Sequence, residues 1–236
     1  MNDLKDSRIL VIGGSSGIGL EVARLSAAAG AEVVIASRNA DRLAAAQAEL
    51  PGLATLVLDI ADEDACRTVL ATTQPWDHVV VSAGGAAPGM IRGRSQTKAR
   101  RGFDGKFWGA WSVAANARLT DKASLTFISG IFAARPQAGN LAASCVNAAV
   151  EALAKGLAVE LAPIRANAVS PGYVDTPLWA AMPAEQRDAM FAQAAARLPS
   201  GRITTSREIA ETVLLCMRNP TLTGTVLTVD GGYSLA

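Results

Sequence analysis

The turn GGSSGIG at residues 13–19 is the feature of the sequence best suited to chemistry. It follows the apolar run Ile9–Ile12, and Gly13, Gly17 and Gly19 have the spacing GxxxGxG at the start of a predicted helix. Glycine lets a backbone approach a ligand closely, and the free amide groups of a helix N-terminus attract anions. The spacing therefore predicts that this turn binds the pyrophosphate of a dinucleotide.

An arginine follows the second predicted strand, where an NAD-binding protein would carry an acidic residue for the ribose hydroxyls. The chain has Ser37-Arg38-Asn39 at this point. A guanidinium pairs well with a 2′-phosphate, through a charged hydrogen bond of about 1.5–3 kcal/mol. We therefore expect NADP(H) as the cofactor, while a second interpretation makes Arg38 a solvated residue that caps the next helix.

Asp59 follows the third predicted strand, and two interpretations of it remain open. Its carboxylate could accept a hydrogen bond from an adenine amino group of the cofactor. Equally, an aspartate between a strand and a helix is often only a helix N-cap.

Short β-rich runs alternate with Ala-rich helical stretches along the 236 residues, which predicts repeated βαβ units. We expect an α/β fold: a single doubly wound Rossmann-fold domain over residues 1–236, with a seven-stranded parallel sheet flanked by helices. The predicted strands are Ile9–Ile12, Val33–Ala36, Thr55–Leu58, His78–Ser82, Ser124–Ser129, Arg165–Ser170 and Thr225–Val229. The predicted helices are Ile18–Ala29, Ala40–Leu50, Glu63–Thr73, Arg101–Ala117, Leu141–Leu161 and Arg207–Met217.

The segment at about 177–203 interrupts this alternation after the sixth predicted strand. It contains a Met- and Ala-rich helical stretch that begins at Pro183. A doubly wound sheet presents its ligand at this place, so we expect the segment to be a substrate lid.

Composition favours a small-molecule partner. The formal net charge is +1, and no global field would recruit nucleic acid or an acidic membrane surface. Three separated cysteines and one histidine predict no metal site and no disulfide framework. The first residues lack the layout of a signal peptide, and no run reaches the roughly 18 uninterrupted apolar residues of a membrane span. We expect a cytoplasmic protein with no membrane or nucleic-acid partner.

Several motifs in a compatible order resemble those of the short-chain dehydrogenase/reductase family. GGSSGIG is similar to its cofactor turn, VVVSAGG at Val79–Gly85 to its NNAG strand end, and the stretch Leu157–Pro177 to its longest signature. TGTVLTVDGG, at Thr223–Gly232, resembles its closing strand. The resemblance implies a homodimer or homotetramer formed through the helices near residues 101–117 and 141–161.

The turn, the strand ends and the resemblance together imply one set of cofactor-binding residues, in which Pro171, Gly172, Val174 and Thr176 cradle the nicotinamide. The full set is Gly13, Ser15, Ser16, Gly17, Ile18, Gly19, Ser37, Arg38, Asn39, Asp59, Ile60, Ser82, Ala83, Gly84, Lys106, Pro171, Gly172, Val174 and Thr176.

The chain departs from the family at its reaction centre, where the family uses Asn, Ser, Tyr and Lys. AASCVNAAVEAL puts Ala143 at the Tyr position and Asn147 at the Lys position, so the YxxxK motif is absent. ISG puts Gly130 at the Ser position, beside Ser129, and FDGKFWG puts Lys106 at the Asn position. The Asn and the Lys thus look exchanged between two helices.

Lys106, Ser129 and Asn147 are the residues we expect to support catalysis. Lys106 could bind the nicotinamide ribose or donate a proton, or it could be a surface lysine of its helix. We expect an atypical NADP(H)-dependent oxidoreductase that reduces a small carbonyl or quinone. The alternative is a catalytically inactive NADP(H)-binding sensor or scaffold.

Overall fold

The computed structural model describes residues 3–85, 88–93 and 95–236. Within them seven strands form one parallel sheet in the order β3-β2-β1-β4-β5-β6-β7. The strands are β1 (Arg8–Ile12), β2 (Glu32–Ser37), β3 (Ala54–Val57), β4 (Trp76–Val81), β5 (Leu119–Ile128), β6 (Arg165–Pro171) and β7 (Val226–Val229). The predicted doubly wound Rossmann fold is confirmed.

Eight α-helices in the described residues cover the two faces of the sheet. They are α1 (Gly17–Ala28), α2 (Ala40–Glu49), α3 (Glu63–Ala71), α4 (Gln96–Phe103), α5 (Gly109–Asn116), α6 (Leu141–Glu160), α7 (Ala184–Ala195) and α8 (Ser206–Arg218). Short 3-10 turns occupy Ile131–Ala133 and Pro177–Trp179.

The hydrophobic core has two layers because successive side chains of a strand point to opposite faces of the sheet. Val11 belongs to the layer under α1, α2 and α8, whereas Leu10 belongs to the layer under α3, α5 and α6. Strands β1, β4 and β6 are almost entirely buried, as expected for central strands of a parallel sheet that helices cover on both faces.

Side-chain caps fix where three helices begin. The side-chain Oδ1 atoms of Asn39 and Asp62 accept hydrogen bonds from the backbone amide of the third residue of α2 and α3, each at 2.9 Å. Thr205 and Glu208 form a capping box that starts α8. The capping roles considered for Arg38 and Asp59 are therefore wrong, because Asn39 caps α2 and Asp62 caps α3, while Arg38 is solvent-exposed as that interpretation expected.

The predicted helix Arg101–Ala117 is divided. Helix α4 starts earlier, at Gln96, and a π-helical turn at Asp104–Trp108 separates it from α5. The wider turn shifts the helical register, so that Lys106 faces inward while Trp108 is half exposed. Gly109 then lets α5 approach the loop after β3, since a Cβ there would lie 2.6 Å from a side-chain carbon of Ile60.

The segment 177–203 contains the expected helix, α7, whose N-cap is Pro183. Phe191 buries its side chain and packs edge-on against Trp179, with ring centroids 5.9 Å apart. Val174, just before the segment, pairs with Thr204, just after it, in an isolated parallel bridge. The segment is thus an excursion whose two ends meet beside the end of β6.

Helix α6 is long and apolar enough to cross a membrane by length and composition alone. In this fold it packs along β5 and β6, and Val146, Val150 and Ala154 are buried in the core. A helix that covers a central sheet passes the same length and composition test.

Candidate functional site

The strand order reverses between β1 and β4, and a crevice opens there at the carboxyl ends of the strands. The turn after β1 and the loop after β4 meet at this crevice. A Cβ on Gly13, whose φ is +80°, would lie 2.9 Å from the backbone nitrogen of Ala83. The amide of Ser82 donates to the carbonyl of Ile12 at 2.9 Å. Only glycine fits at residue 13 without separating the two segments.

The glycine turn is packed against itself. A Cβ on Gly19 would lie 2.2 Å from the carbonyl oxygen of Gly13, and one on Gly14 would lie 2.6 Å from a methyl carbon of Ile35. No side chain caps the first turn of α1, although Ser16 is its N-cap, and this turn carries no acidic residue. The amide groups of Ile18 and its neighbours therefore face an open crevice as an uncapped helix N-terminus, which suits a pyrophosphate.

Arg38 is exposed at the end of β2, next to the glycine turn across the sheet. The hydroxyl of Ser37 accepts from the amide of Asn39 at 3.4 Å, while the Asn39 side chain is used as a helix cap. Of the three residues, Arg38 alone presents a cation to a ligand lying over the turn.

The loop after β3 holds Asp59 and Ile60. Asp59 is exposed, and one of its carboxylate oxygens accepts from the amide of Ala61 at 3.1 Å. Ile60 is buried against Gly109 at the start of α5. Asp59 therefore has a carboxylate oxygen left for a ligand, and Ile60 joins the cofactor side of the crevice to the helix that follows Lys106.

Gly84, in the loop after β4, fixes the position of the π-helical turn. Its φ is +88°, and a Cβ would lie 2.6 Å from the carbonyl oxygen of Gly105 and 2.8 Å from the Cα of Lys106. The loop and the turn therefore touch through their backbones. This contact aims the Lys106 side chain at the end of β5.

Lys106 is the centre of a buried hydrogen-bonded network. Only 9% of the residue is exposed, so the interpretation as a surface lysine is wrong. Its Nζ donates to the carbonyl oxygen of Ser129 at 2.6 Å and to Oδ1 of Asn147 at 2.7 Å. An ammonium group has three N–H donors, so one remains for a ligand.

Burial lowers the pKa of Lys106 to about 8, and the negative charge of Glu151 partly opposes this decrease. A charged amine is costly to desolvate, which favours its neutral form. The amine therefore changes protonation state close to neutral pH, as a proton donor must in order to work there.

Asn147 and Gly130 account together for the altered family pattern. Nδ2 of Asn147 donates to the carbonyl of Gly130 at 3.2 Å, and a Cβ on Gly130 would lie 2.7 Å from that nitrogen. A serine at residue 130 would therefore collide with Asn147. The two residues that look exchanged in the sequence, Lys106 and Asn147, are direct partners in the structure.

Ser129 and Glu151 form a second contact that the sequence did not indicate. The Ser129 hydroxyl is 2.8 Å from Oε1 of Glu151 and 3.3 Å from the carbonyl oxygen of Val169. Ser129 is buried, and its hydroxyl is directed at these two acceptors. Glu151 lies one helical turn after Asn147, and that spacing is the only signal that could have identified it.

The segment after β6 places the predicted nicotinamide residues. A Cβ on Gly172 would lie 2.8 Å from the Cα of Asp230, so glycine is needed there for the close approach to the segment after β7. Val174 is buried, and Pro171 ends β6. A Cβ on Gly17 would come within 3.4 Å of the Thr176 side chain. This segment therefore closes the crevice opposite the glycine turn.

No group of three His, Cys, Asp or Glu side chains in the described part of the chain is arranged to hold a metal ion. What the crevice offers is backbone amides at one end, an arginine beside them, and a buried amine in the middle. These features define a Rossmann-fold protein of the kind that receives a dinucleotide across the carboxyl edge of its sheet.

The comparisons with known proteins agree with this class. A family model described as enoyl-(acyl carrier protein) reductase matches residues 13–234. The chain is 32% identical over 253 residues to the short-chain dehydrogenase/reductase ATR9 of Stachybotrys chlorohalonatus, with all of both chains covered. It is 34% identical to cis-4-hydroxycyclohexanecarboxylate dehydrogenase of Sinomonas cyclohexanicum, with 95% of each covered.

Solved structures give the same result. A small-chain dehydrogenase in complex with NADPH superimposes with a TM-score of 0.81 and 34% identity, covering 98% of this chain and 100% of that one. The chain belongs to the short-chain dehydrogenase/reductase family of oxidoreductases. The resemblance that the motifs predicted is confirmed.

Proposed function

We propose that this protein is an atypical NADP(H)-dependent reductase of a small carbonyl or quinone in which Lys106 replaces part of the missing catalytic set. The observation that carries the proposal is the buried amine with two of its three donors satisfied. The remaining donor and a pKa of about 8 equip Lys106 to bind a ribose hydroxyl or to protonate a substrate oxygen.

The cofactor assignment rests on the two ends of the crevice. The uncapped start of α1 suits the pyrophosphate, and Arg38 suits a 2′-phosphate. Ser15, Ser16 and the glycine turn would hold the diphosphate, and Asp59 would be available to the adenine. The relative that contains NADPH supports the same choice, at 34% identity.

A bound nicotinamide supplies a hydride, and the protein must position it and manage the accompanying proton. The segment Pro171–Thr176 lies opposite the glycine turn and would hold the ring. The hydride would be transferred to the carbonyl carbon, and Lys106 would give a proton to the oxygen, which yields the alcohol and a neutral amine. Asn147 and the Ser129 carbonyl hold the amine in place during this transfer.

The missing phenol limits the substrate class. Loss of a general acid costs about 10²–10⁴ in rate, whereas positioning of cofactor and substrate supplies about 7–11 kcal/mol without it. Ala143, at the family's Tyr position, has no acidic group to offer. Acceptors whose reduced form is a stable anion, such as quinones or activated dicarbonyls, should be reduced faster than simple ketones.

The proposal includes a substrate lid and a contact between subunits. The segment 177–203 serves as a lid, because its ends meet beside the nicotinamide residues. Trp108, in the π-helical turn, and Trp111, in α5, are about half exposed, at 52% and 50%. These rings and helix α6 form the contact of a homodimer or homotetramer, since exposed aromatic clusters often mark protein interfaces.

A non-catalytic sensor is the second candidate, and a specific observation favours it. The Ser129 hydroxyl is bound to Glu151 and Val169, so it is not free to orient a substrate as the family's serine does. In this case the protein would bind NADP(H) and change its state without turnover.

The test is the oxidation of NADPH with a panel of acceptors that includes an o-quinone, an α-dicarbonyl and a simple ketone. We expect turnover of the first two and a loss of about 10²–10⁴ in rate for Lys106→Met. Lys122→Met, at an exposed site on β5, is the matched control and should leave the rate unchanged. Tight NADPH binding without turnover of any acceptor would favour the sensor.

The cofactor choice has a separate test. Arg38→Ala should reduce the preference for NADPH over NADH by about 10- to 150-fold, measured from dissociation constants by calorimetry. Arg67→Ala, an exposed arginine on α3 paired with Asp64, is the control. If neither pyridine nucleotide bound the wild-type protein, the proposed function would be wrong.

A further inference from the structure

A basic pocket lies at the same carboxyl edge of the sheet as the Lys106 network. It encloses about 330 Å³ and is lined by Arg135, Gln137, Arg197, Tyr233 and Ala236. Arg135 and Gln137 follow β5, Tyr233 follows β7, and Arg197 comes from the segment after α7. Chain segments that are far apart in sequence thus converge on one cavity.

The pocket is built by a connected set of polar contacts. Arg135 donates from Nη1 to the carbonyl oxygen of Tyr233, and its guanidinium lies over the Tyr233 ring, 4.9 Å from the centroid. Gln137 donates to the Tyr233 hydroxyl, and its own side-chain oxygen is 3.5 Å from the hydroxyl of Tyr173. These contacts fix Arg135 and Gln137 before any ligand arrives.

The turn that carries Tyr233 is held by a buried carboxylate. Asp230 is 7% exposed, and its two oxygens accept from the amides of Gly232 and Ser234 at 2.8 Å each. Burial raises the pKa of Asp230, but these backbone hydrogen bonds more than offset it and leave the pKa lowered. Since Asp230 also touches Gly172, the pocket wall is tied to the segment that is proposed to hold the nicotinamide.

The pocket carries two positive charges close together. Arg135 and Arg197 line the same cavity as Tyr233. Burial and the neighbouring Tyr173 raise the pKa of Tyr233, and the two arginines oppose this rise. In the described part of the chain, neither guanidinium has a carboxylate within ion-pair distance. A cavity with this field attracts an anion.

Tyr233 is the aromatic residue that lines the pocket, and two further rings pack behind it. Tyr173 meets Tyr233 edge-on, with ring centroids 5.7 Å apart, and stacks on Trp179 at 6.1 Å. An anion bound by the arginines would therefore have apolar surface beside it. This combination suits an organic acid with an apolar or ring-shaped body.

We propose that Arg135, Gln137 and Arg197 bind the carboxylate of the substrate, so that the protein reduces carbonyl compounds that are also carboxylic acids. The pocket and the Lys106 network belong to continuous chain, because Arg135 follows Gly130, whose carbonyl accepts from Asn147. In this proposal a keto acid places its carboxylate in the pocket and its carbonyl at Lys106, and the spacing between the two groups is left for the experiment to measure. The inference rests on the proposed reductase function and names its substrate class.

A carboxylate fits the charge better than a phosphate. One edge of Arg135 is already used by Tyr233, which leaves Arg197 and the remaining donors of Arg135 for the ligand. These can satisfy the two oxygens of a monoanion in the forked geometry typical of arginine. A phosphate carries more charge and a third oxygen, and the lining offers no lysine and no helix N-terminus to meet it.

The experiment compares keto acids with matched neutral compounds. The probes are benzoylformate, 4-oxo-4-phenylbutanoate and 5-oxo-5-phenylpentanoate, each with its primary amide, so that the spacing between carbonyl and carboxylate varies. Benzoylphosphonate is the phosphonate counterpart of the first acid. We measure kcat and KM with NADPH for wild type, Arg197→Gln and the control Arg67→Gln.

For at least one acid we expect kcat/KM to exceed that of its amide by about tenfold or more, through KM. Arg197→Gln should bring this ratio to within about twofold of unity with kcat unchanged, and Arg67→Gln should keep it. Arg197 is exposed, so its loss should not disturb folding. Equal turnover of every acid and its amide, or a preference for the phosphonate, would overturn the proposal.

Direct binding separates this proposal from the proposed function. Calorimetry of 4-oxo-4-phenylbutanoate against the NADP⁺-loaded protein should show association that Arg197→Gln loses. If binding follows this pattern but no acceptor is reduced, the pocket assignment stands and the reductase function fails. If quinones are reduced but no keto acid binds, the reductase function stands and the pocket assignment fails.

Discussion

The glycine turn after β1 and the centre around Lys106 lie on the same edge of the sheet but are held in place differently. The turn is fixed by backbone contacts so close that a single Cβ would fall 2.2 Å from a carbonyl oxygen. The centre is fixed by side-chain hydrogen bonds that join Lys106, Asn147 and the Ser129 carbonyl. The glycine turn depends on the absence of side chains, whereas the centre around Lys106 depends on hydrogen bonds between side chains.

This difference explains why one region keeps the family pattern and the other departs from it. A clash between backbones has no alternative solution, so the glycines must stay. A hydrogen-bonded network can keep a cation at the same place if its members change together. Lys106, Gly130 and Asn147 show such a joint change, since each replacement makes room or supplies a partner for another.

The largest effect should come from adding one methyl group to the turn. Gly19→Ala forces its Cβ against the Gly13 carbonyl and displaces the amides that face the pyrophosphate. Each charged hydrogen bond that is lost costs about 1.5–3 kcal/mol, so the dissociation constant for NADPH should rise at least about 100-fold. Calorimetry measures it directly. Unchanged affinity would mean that the turn does not bind the diphosphate.

A smaller effect should follow from restoring the family's serine alone. Gly130 has φ 162° and ψ 150°, an extended backbone open to any residue, so Gly130→Ser is opposed only by Asn147. The free energy of unfolding should fall by about 1–3 kcal/mol in urea denaturation, because a packed region resists added volume. Activity should fall with it as the Lys106 amine loses its support.

A double-mutant cycle separates this clash from general damage. Asn147→Ala removes the group that the serine would strike, so the two substitutions together should cost at least about 0.5 kcal/mol less than the sum of the single ones. Additive costs would show that the Gly130 and Asn147 replacements are independent. The residues around Lys106 would then not form a set that must change together.

The pH dependence of the NADPH oxidation rate gives a further prediction. On the alkaline side the rate should fall about tenfold per pH unit. Lys106 has a pKa of about 8, and only its ammonium form has a donor left after Ser129 and Asn147 are satisfied. The rate of NADPH oxidation should therefore be constant below pH 8 and fall above it. Glu151→Gln removes the charge that raises this pKa, so the limb should move to lower pH.

A profile that stays flat up to pH 9.5 would remove Lys106 from proton transfer. A limb that does not move in Glu151→Gln would show that the carboxylate acts only as a hydrogen-bond partner of Ser129. The other strongly shifted groups do not interfere in this range. Burial lowers the pKa of His78 to about 4 and raises the pKa of Cys66 and Cys216 to about 11.

Sequence was sufficient for the sheet and the glycine turn because both are local. A strand that is buried on both faces, such as β1, is a short run of apolar residues in the sequence. The segment Gly13–Gly19 acts through its own backbone. The inward position of Lys106 needs the π-helical turn, which depends on contact with Gly84 in another loop. Arg135 and Arg197 meet only after the chain has folded, so no spacing in the sequence could group them.

The smallest effect is expected at a glycine that no neighbouring atom requires. Gly156 lies in the middle of α6, is exposed, and has nothing within 4 Å of the place where a Cβ would stand. Gly156→Ala should therefore raise the free energy of unfolding by about 0.5–1 kcal/mol, because alanine loses less conformational freedom in a helix than glycine does. Urea denaturation of this variant beside Gly19→Ala separates a glycine required by crowding from one that is not. A decrease in stability for Gly156→Ala would indicate that a neighbour outside the monomer fills the space above α6, as the proposed oligomer contact through this helix would allow.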